Sequence, residues 1–261
     1  MINEKQYLTQ LSEEMVEGAK YAVLPGDPKR AKDLAFMLDP NAKFLAFNRQ
    51  HGSYLADIQG CKVLIVSTGM GCPAISATTV ELHKLGLQFF IRLGTSGTIR
   101  EEIELGDICF TRAAIKLDGI SREYIEEGFP AVASFSLTES FIKGAKSENI
   151  PCHLGLTASS DTFWPGQERH DNYSGYLIKE LQGAMAEWQA LNVANFEMEA
   201  SALLALATVL DVKAACFCGI IAKRTASEVP SHEGKRLAQL HWEKTLKAGL
   251  IVDMKKRGFI K

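Results

Sequence analysis

The chain has 261 residues, 46% hydrophobic and 23% charged, and its 29 basic against 31 acidic side chains leave a net charge of −2. Such a length supports a sizeable core, and the composition excludes collagen-like, disordered and disulfide-scaffold classes. The charge balance argues against a non-specific nucleic-acid binder, whose affinity rests on clustered positive charge, yet it leaves room for a few arginines focused on one small anion.

The opening residues, MINEKQYLTQLSEE, carry neither the apolar core nor the small-residue cleavage site of a signal peptide. The longest runs without charge, near Ala202–Leu210 and Ala214–Ala222, fall far short of the ~20 residues a membrane span needs. The expectation is a cytoplasmic protein with neither membrane nor nucleic acid as partner.

Short apolar runs predict strands over 21–24, 43–47, 54–58, 62–67, 88–93, 107–115, 153–158 and 214–221. Several are continuous rather than alternating, as where both sheet faces are covered. A helix is predicted over Ala74–Leu85, with Ile75, Thr78, Leu82 and Leu85 on one stripe, Pro73 opening it and Gly86 closing it. Met198–Leu210, apolar nearly all round, predicts a buried helix. Trp242, Leu246, Leu250 and Met254 recur every fourth residue, fitting a long covering helix. No repeat or linker divides the chain. The expectation is one α/β domain over residues 1–261: a three-layer sandwich with a central mixed β-sheet flanked by helices.

Glycines and arginines fall where ligands bind in such folds, beyond the carboxyl ends of strands. Leu24-Pro25-Gly26-Asp27-Pro28-Lys29-Arg30 follows the first strand, Ser67-Thr68-Gly69-Met70-Gly71 another, and Leu93-Gly94-Thr95-Ser96-Gly97 a third. Glycine lets backbone approach an anion, and helix N-termini favour negative charge. Arg30, Arg92 and Arg49 are permanently charged donors suited to phosphate. Each piece alone also reads as an ordinary turn. The Gly69–Gly71 segment is a poor dinucleotide fingerprint, since its helix opens on Pro73 and no acid ends a strand about 20 residues later.

A second cluster is Asp161-Thr-Phe-Trp-Pro-Gly-Gln-Glu-Arg169. An amide at Gln167 offers an acceptor and two donors to an imide edge, Arg169 can donate to a second carbonyl, and Phe163 with Trp164 offers an aromatic wall. The same segment also reads as a solvated turn holding an ion pair. In Asn195-Phe196-Glu197-Met198-Glu199, two carboxylates share a side if the segment is extended. A carboxylate accepts paired sugar hydroxyls well, although acids at a helix N-terminus are favoured anyway. The six cysteines show no CxxC. Cys216 and Cys218 alternate onto one face of a buried strand and read as reduced core residues rather than metal ligands.

Taken together, VLPGDPKR, STGMG, FIRLGTSGTI, TASSDTFWPGQER and NFEMEASALL closely resemble the hexameric/trimeric nucleoside phosphorylase family, on its uridine-cleaving branch, from about Tyr7 to Pro230. The resemblance implies reversible phosphorolysis of uridine to uracil and ribose 1-phosphate, with phosphate as co-substrate and no cofactor or metal. It implies phosphate binding by Gly26, Arg30, Arg92 and Thr95, with Arg49 reaching in from a neighbouring subunit. Tyr7, Thr95, Met198 and Glu199 would hold the ribose. Gln167 and Arg169 would read uracil, in a pocket lined by Gly97, Phe163, Ile220 and Ile221 and covered by a flap bearing Lys223 and Arg224. Arg92, Arg169 and Glu199 would carry the catalysis. Homodimer units, three of them building a hexamer, are implied as well.

Purine-cleaving relatives carry an aspartate just beyond the last sheet strand. Here the strand continues Gly219-Ile-Ile-Ala-Lys-Arg-Thr without one, which fits a pyrimidine substrate. Three positions depart from the pattern. Tyr7 stands where many bacterial members have a histidine on the ribose 5′-hydroxyl, and Gln50 and Ala74 replace the glutamate and serine of an intersubunit monovalent-cation site. No potassium requirement is therefore expected. His51 reads as an ordinary surface histidine. The alternatives are a broader pyrimidine phosphorylase that also takes deoxyuridine and thymidine, and a non-catalytic nucleoside binder, which would be expected to lose Arg92, Arg169 or Glu199.

Overall fold

The computed structural model describes residues 4–170 and 174–261. Its strands are β1 (Tyr21–Pro25), β2 (Lys43–Asn48), β3 (His51–Ile58), β4 (Cys61–Val66), β5 (Phe89–Thr98), β6 (Ile108–Leu117), β7 (Ala131–Val132), β8 (Cys152–Ser160), β9 (Val193–Glu197) and β10 (Lys213–Lys223). Its helices are α1 (Glu13–Val16), α2 (Pro28–Leu38), α3 (Cys72–Lys84), α4 (Ser121–Tyr124), α5 (Phe135–Ser147), α6 (Ala184–Ala190), α7 (Ala200–Val209) and α8 (His232–Lys256).

The strands form one mixed sheet in the order β10-β6-β8-β9-β5-β1-β4-β3-β2, with β7 pairing β6 at its side. β5 lies parallel to both β1 and β10, while β9 runs antiparallel to it. Because β10 also pairs antiparallel with β6, strands β5, β10, β6, β8 and β9 close into a ring. The sandwich expected from sequence is therefore present with one half of its sheet rolled up.

Alternation along β1 shows how the layers are filled. Tyr21 and Val23 point into a core cluster with Leu34 of α2, Phe141 of α5 and Leu246 of α8. Ala22 and Leu24 point the other way, to Ile75 of α3 and Leu203 of α7. The stripe Trp242, Leu246, Leu250 and Met254 is buried on α8 as its spacing requires. Each such leucine contributes about 1.5–3 kcal/mol on leaving water.

Two helix starts shape the site. Asp27 caps α2, its Oδ1 accepting from Lys29 N at 2.8 Å, with Pro28 at the first helical position. Gly71 opens α3 just after Gly69, whose φ of +79° disfavours any side chain. No described helix is long and apolar enough to cross a membrane.

The Gly94–Gly97 segment, expected as a loop beyond its strand, instead lies inside β5, paired with β10 as far as Thr98↔Lys223. Closing the ring extends the ladder past the point where glycines suggest a turn, and Gly94 and Gly97 instead leave room for the Arg92 and Arg224 side chains. Lys223 likewise belongs to the end of β10, its Nζ on the Glu101 carbonyl at 2.8 Å and on Glu104 at 2.5 Å, rather than to a flap. His51 is buried at the start of β3, with Nδ1 3.0 Å from the Ser67 carbonyl, and is not a surface residue.

Candidate active site

A cavity of about 710 Å³ opens beside the carboxyl ends of β1 and β5, within the usual size of a small-molecule site. Its floor is built on strands. Arg92 of β5 is buried and donates from Nε to Glu197 Oε2 at 2.8 Å, while its Nη2 meets Glu199. Gly94 makes room for that guanidinium, since a Cβ there would lie 2.8 Å from Nη2. Burial opposes the charge on Arg92, but Glu199 and Glu197 hold its pKa well above the ordinary value. Burial pushes the Glu199 carboxyl up, against the pull of Arg92.

Glu197 ends β9 and also accepts from the Glu199 and Ala200 backbone N–H groups that begin α7, and from the Ser159 hydroxyl. The Glu197 carboxylate therefore caps the helix, as the reading of acids at a helix N-terminus expects, and the two acids share one arginine. Glu199 Oε1 accepts from Gly71 N at 2.6 Å, fastening the glycine segment to the floor. Gly26 touches the same segment: a Cβ on it would meet the Gly69 carbonyl at 2.9 Å. Arg30, on the first turn of α2, and Thr95 complete this end of the cavity, with Met198 alongside.

The other end rests on the segment after β8. Gln167 and Arg169 are buried and line the cavity with Phe163. The guanidinium of Arg169 lies 4.1 Å from the centroid of the Phe163 ring, and its Nη1 donates to the Glu228 carbonyl at 2.7 Å and to Oε2 of the same residue at 2.9 Å. The segment is thus not a solvated turn. Glu168 explains why: it adopts φ +49°, and its carboxylate accepts from Gly183 N and from Met185 N, fixing the start of α6 and turning its two neighbours inward.

Gly97 and Ile221 line the cavity as expected. Ile220 does not: it is fully buried in a small cluster with Ile103, Cys109 and Ala194, on the far face of β10. Alternation along the strand sends adjacent isoleucines to opposite faces. Arg224 is not an exposed flap residue. It is buried behind Phe196, 5.4 Å from that ring, with Nε and Nη2 on the Glu228 carboxylate at 2.9 and 3.0 Å. Glu228 therefore bridges Arg169 and Arg224. Sequence reasoning passed over it, although an acid four residues after Arg224 was a signal.

Arg49 and Tyr7 do not line this cavity. They meet each other, Arg49 Nη2 donating to the Tyr7 hydroxyl at 3.2 Å, and Tyr7 is 73% exposed. Gln50 and Ala74 do line the cavity. The six cysteines are free thiols. Cys216, Cys218 and Glu197 bring ligand atoms within 4.8 Å of one another, but the Glu197 oxygens are already taken by Arg92, Ser159 and two backbone N–H groups. That triad does not suit a metal ion.

A profile described as Phosphorylase superfamily matches residues 20–250. Among curated relatives, uridine phosphorylase of Salmonella typhimurium is 41% identical over 88% of this chain and 91% of its own. The Haemophilus influenzae uridine phosphorylase is 42% identical over 85% and 87%, and that of Thermococcus kodakarensis is 35% identical over 80% and 75%.

Proposed function

The chain belongs to the phosphorylase superfamily, and from that premise we propose how its cavity splits uridine with inorganic phosphate into uracil and ribose 1-phosphate. It is a pentosyltransferase, the reaction class to which its relatives named uridine phosphorylase point. The observation that carries the residue assignments is the pairing, in one cavity, of buried Gln167 and Arg169 at one end with the Arg92–Glu199 floor at the other.

Uracil presents alternating carbonyl and N–H groups, which a buried amide and guanidinium match donor to acceptor. Phosphate takes the end formed by Gly26, Arg30, Arg92 and Thr95. The ribose lies between, its hydroxyls on Glu199 and its ring against Met198. A carboxylate offers about four lone-pair sites, so Glu199 accepts from hydroxyls while keeping Arg92 and Gly71. A phosphate oxygen attacks C1′ as the C1′–N1 bond breaks, the bonding pair leaving with uracil. Positive charge grows on the sugar and negative charge on the base. Arg169 and Gln167 stabilise the base at O2 and O4, and binding supplies the contact between reactants. Phosphate is itself the nucleophile, so the scheme calls on no cofactor, metal or protein nucleophile.

At the phosphate end of each chain Arg92 is already paired with Glu197 and Glu199, and among the described residues Arg30 is the arginine there without an ion pair. A phosphate dianion needs a further cation, and Arg49 of a second copy supplies it in this scheme, with Tyr7 on the ribose 5′-hydroxyl. Support comes from the exposure of the large side chains Tyr7, Phe44, Phe47 and Met70, of the kind that association covers. The assembly proposed is a homodimer repeated into a homohexamer, working in the cytoplasm. Uracil released from uridine with and without phosphate tests the assignment, with deoxyuridine, thymidine and inosine alongside. Uridine left intact in the presence of phosphate would overturn it.

A further inference from the structure

The phosphate end of the cavity holds one arginine, Arg30, that forms no ion pair among the described residues, although Asp27 stands near enough to act on its charge. Arg92 is paired with Glu197 and Glu199, and Arg169 and Arg224 are paired with Glu228. Among the described residues, no ion pair or hydrogen bond fixes the Arg30 guanidinium. On the outer side, a second cavity of about 350 Å³ also reaches Arg30, where Lys29 and Asp33 neutralise each other.

What Arg30 does touch is an aromatic face. Its guanidinium carbon lies 4.5 Å from the centroid of the Trp242 ring on α8. That ring is 5% exposed and has its own seat. Gly219 of β10 leaves the space: a Cβ there would stand 2.6 Å from the Ala238 Cβ and 3.1 Å from Trp242 Cε3. The indole is thus located by β10 and α8, independently of the arginine it faces.

We propose that Trp242 is the positioning residue for phosphate, its ring face holding the Arg30 guanidinium toward the phosphate end of the cavity. The inference rests on reading that end as the phosphate site. A ring face attracts a cation through its quadrupole and consumes none of its N–H donors. Arginine carries five such donors in a planar fork that matches phosphate oxygens. A carboxylate in the same place would occupy part of the fork and cancel its charge. Trp242 restrains the side chain while leaving charge and donors to an incoming oxyanion. Burial draws the Arg30 pKa down, with Asp27 opposing, so a bound anion relieves a desolvated charge.

The test uses the full-length enzyme and inorganic phosphate, with KM for phosphate and KM for uridine measured separately. Trp242→Leu keeps apolar bulk and removes the ring face. KM for phosphate then rises about threefold to tenfold, while KM for uridine stays within about twofold. Trp242→Phe, which keeps a face, returns phosphate KM to within about twofold of the parent. If the leucine variant does not fold, fluorinated tryptophan placed at position 242 keeps ring size and drains the face of negative potential. KM for phosphate then climbs with each added fluorine. A phosphate KM unmoved by fluorination, or one rising in step with the uridine KM, overturns the proposal. A parent enzyme that releases no uracil with phosphate overturns instead the reading of the cavity on which it rests.

Discussion

Replacing Glu197 by glutamine tests the floor of the site without changing its shape. The Glu197 side chain has no exposed surface. Its carboxylate accepts from Arg92 Nε at 2.8 Å, from Glu199 N at 2.9 Å, from Ala200 N at 2.9 and 3.0 Å, and from the Ser159 hydroxyl. Donors surround both oxygens, so either orientation of the amide sets an N–H against a donor. Breaking a buried ion pair costs about 3–5 kcal/mol, and an unpaired buried donor about 1–3 kcal/mol. Glu199 still holds Arg92 in the variant, which places the expected loss near the bottom of the first range, about 3 kcal/mol. At about 2–4 °C per kcal/mol for a domain of this size, Tm falls by about 6–12 °C. Calorimetry at pH 7 and one fixed protein concentration reads the change, since the Tm of an assembling protein depends on concentration. A fall of less than about 2 °C would refute the account of Glu197 as the support of Arg92.

Arg169→Ala should lower kcat more than about tenfold by removing leaving-group stabilisation, with phosphate affinity near normal; steady-state rates at saturating uridine check it, and an unchanged kcat sinks the assignment. Arg49→Ala and Arg169→Ala are each expected to be nearly inactive alone. Co-expressed with different tags, they should recover about a quarter of the parent activity, because half of randomly paired dimers carry one intact site of two. No recovery would show that Arg49 serves its own chain. Burial holds the His51 imidazole below the usual 6.5, against the Ser67 carbonyl and Glu81. Its neutral form is therefore favoured on folding, so its contribution is complete above pH 6.5 and is lost as pH falls below that value. Tm measured from pH 8 to pH 5 should drop less steeply in His51→Gln than in the parent, and parallel curves would contradict the reasoning.

Eight of the strands were legible from their apolar runs, which are continuous where the strand is covered, as in β1 and β4, and persist even in the half-exposed edge strand β2. β9 was not. Its five residues run into Glu197 and Glu199, so the segment reads as a transition, and only the ring of strands makes Val193–Glu197 a ladder. The length of β5 was hidden for a related reason, since its glycines, which suggest a turn, here make room for arginine side chains inside a strand. At the site, most of the residues expected from the sequence line the cavity; Ile220 is turned away by strand alternation, Arg224 lies behind Phe196, and Tyr7 and Arg49 stand outside it. The residues behind the lining were not legible. Glu168, Glu228 and Trp242 act through contacts between distant segments, and no local pattern encodes that Glu228 meets an arginine 59 positions earlier.

The ring also sorts the cavity by how its walls are made. Arg92 and Glu197 stand on strands with neighbours on both sides, so moving either would disturb several ladders. Gln167 and Arg169 sit on a short segment held chiefly by Glu168 and Glu228, outside the ladders. Under the proposed assignment, stretches 161–169 and 224–230 could be exchanged to alter the base accepted without disturbing the strands that carry Arg92 and Glu197. The end of the cavity at Gln167 and Arg169 is thus the replaceable cartridge of this architecture, and the strand-borne floor at Arg92 is its chassis.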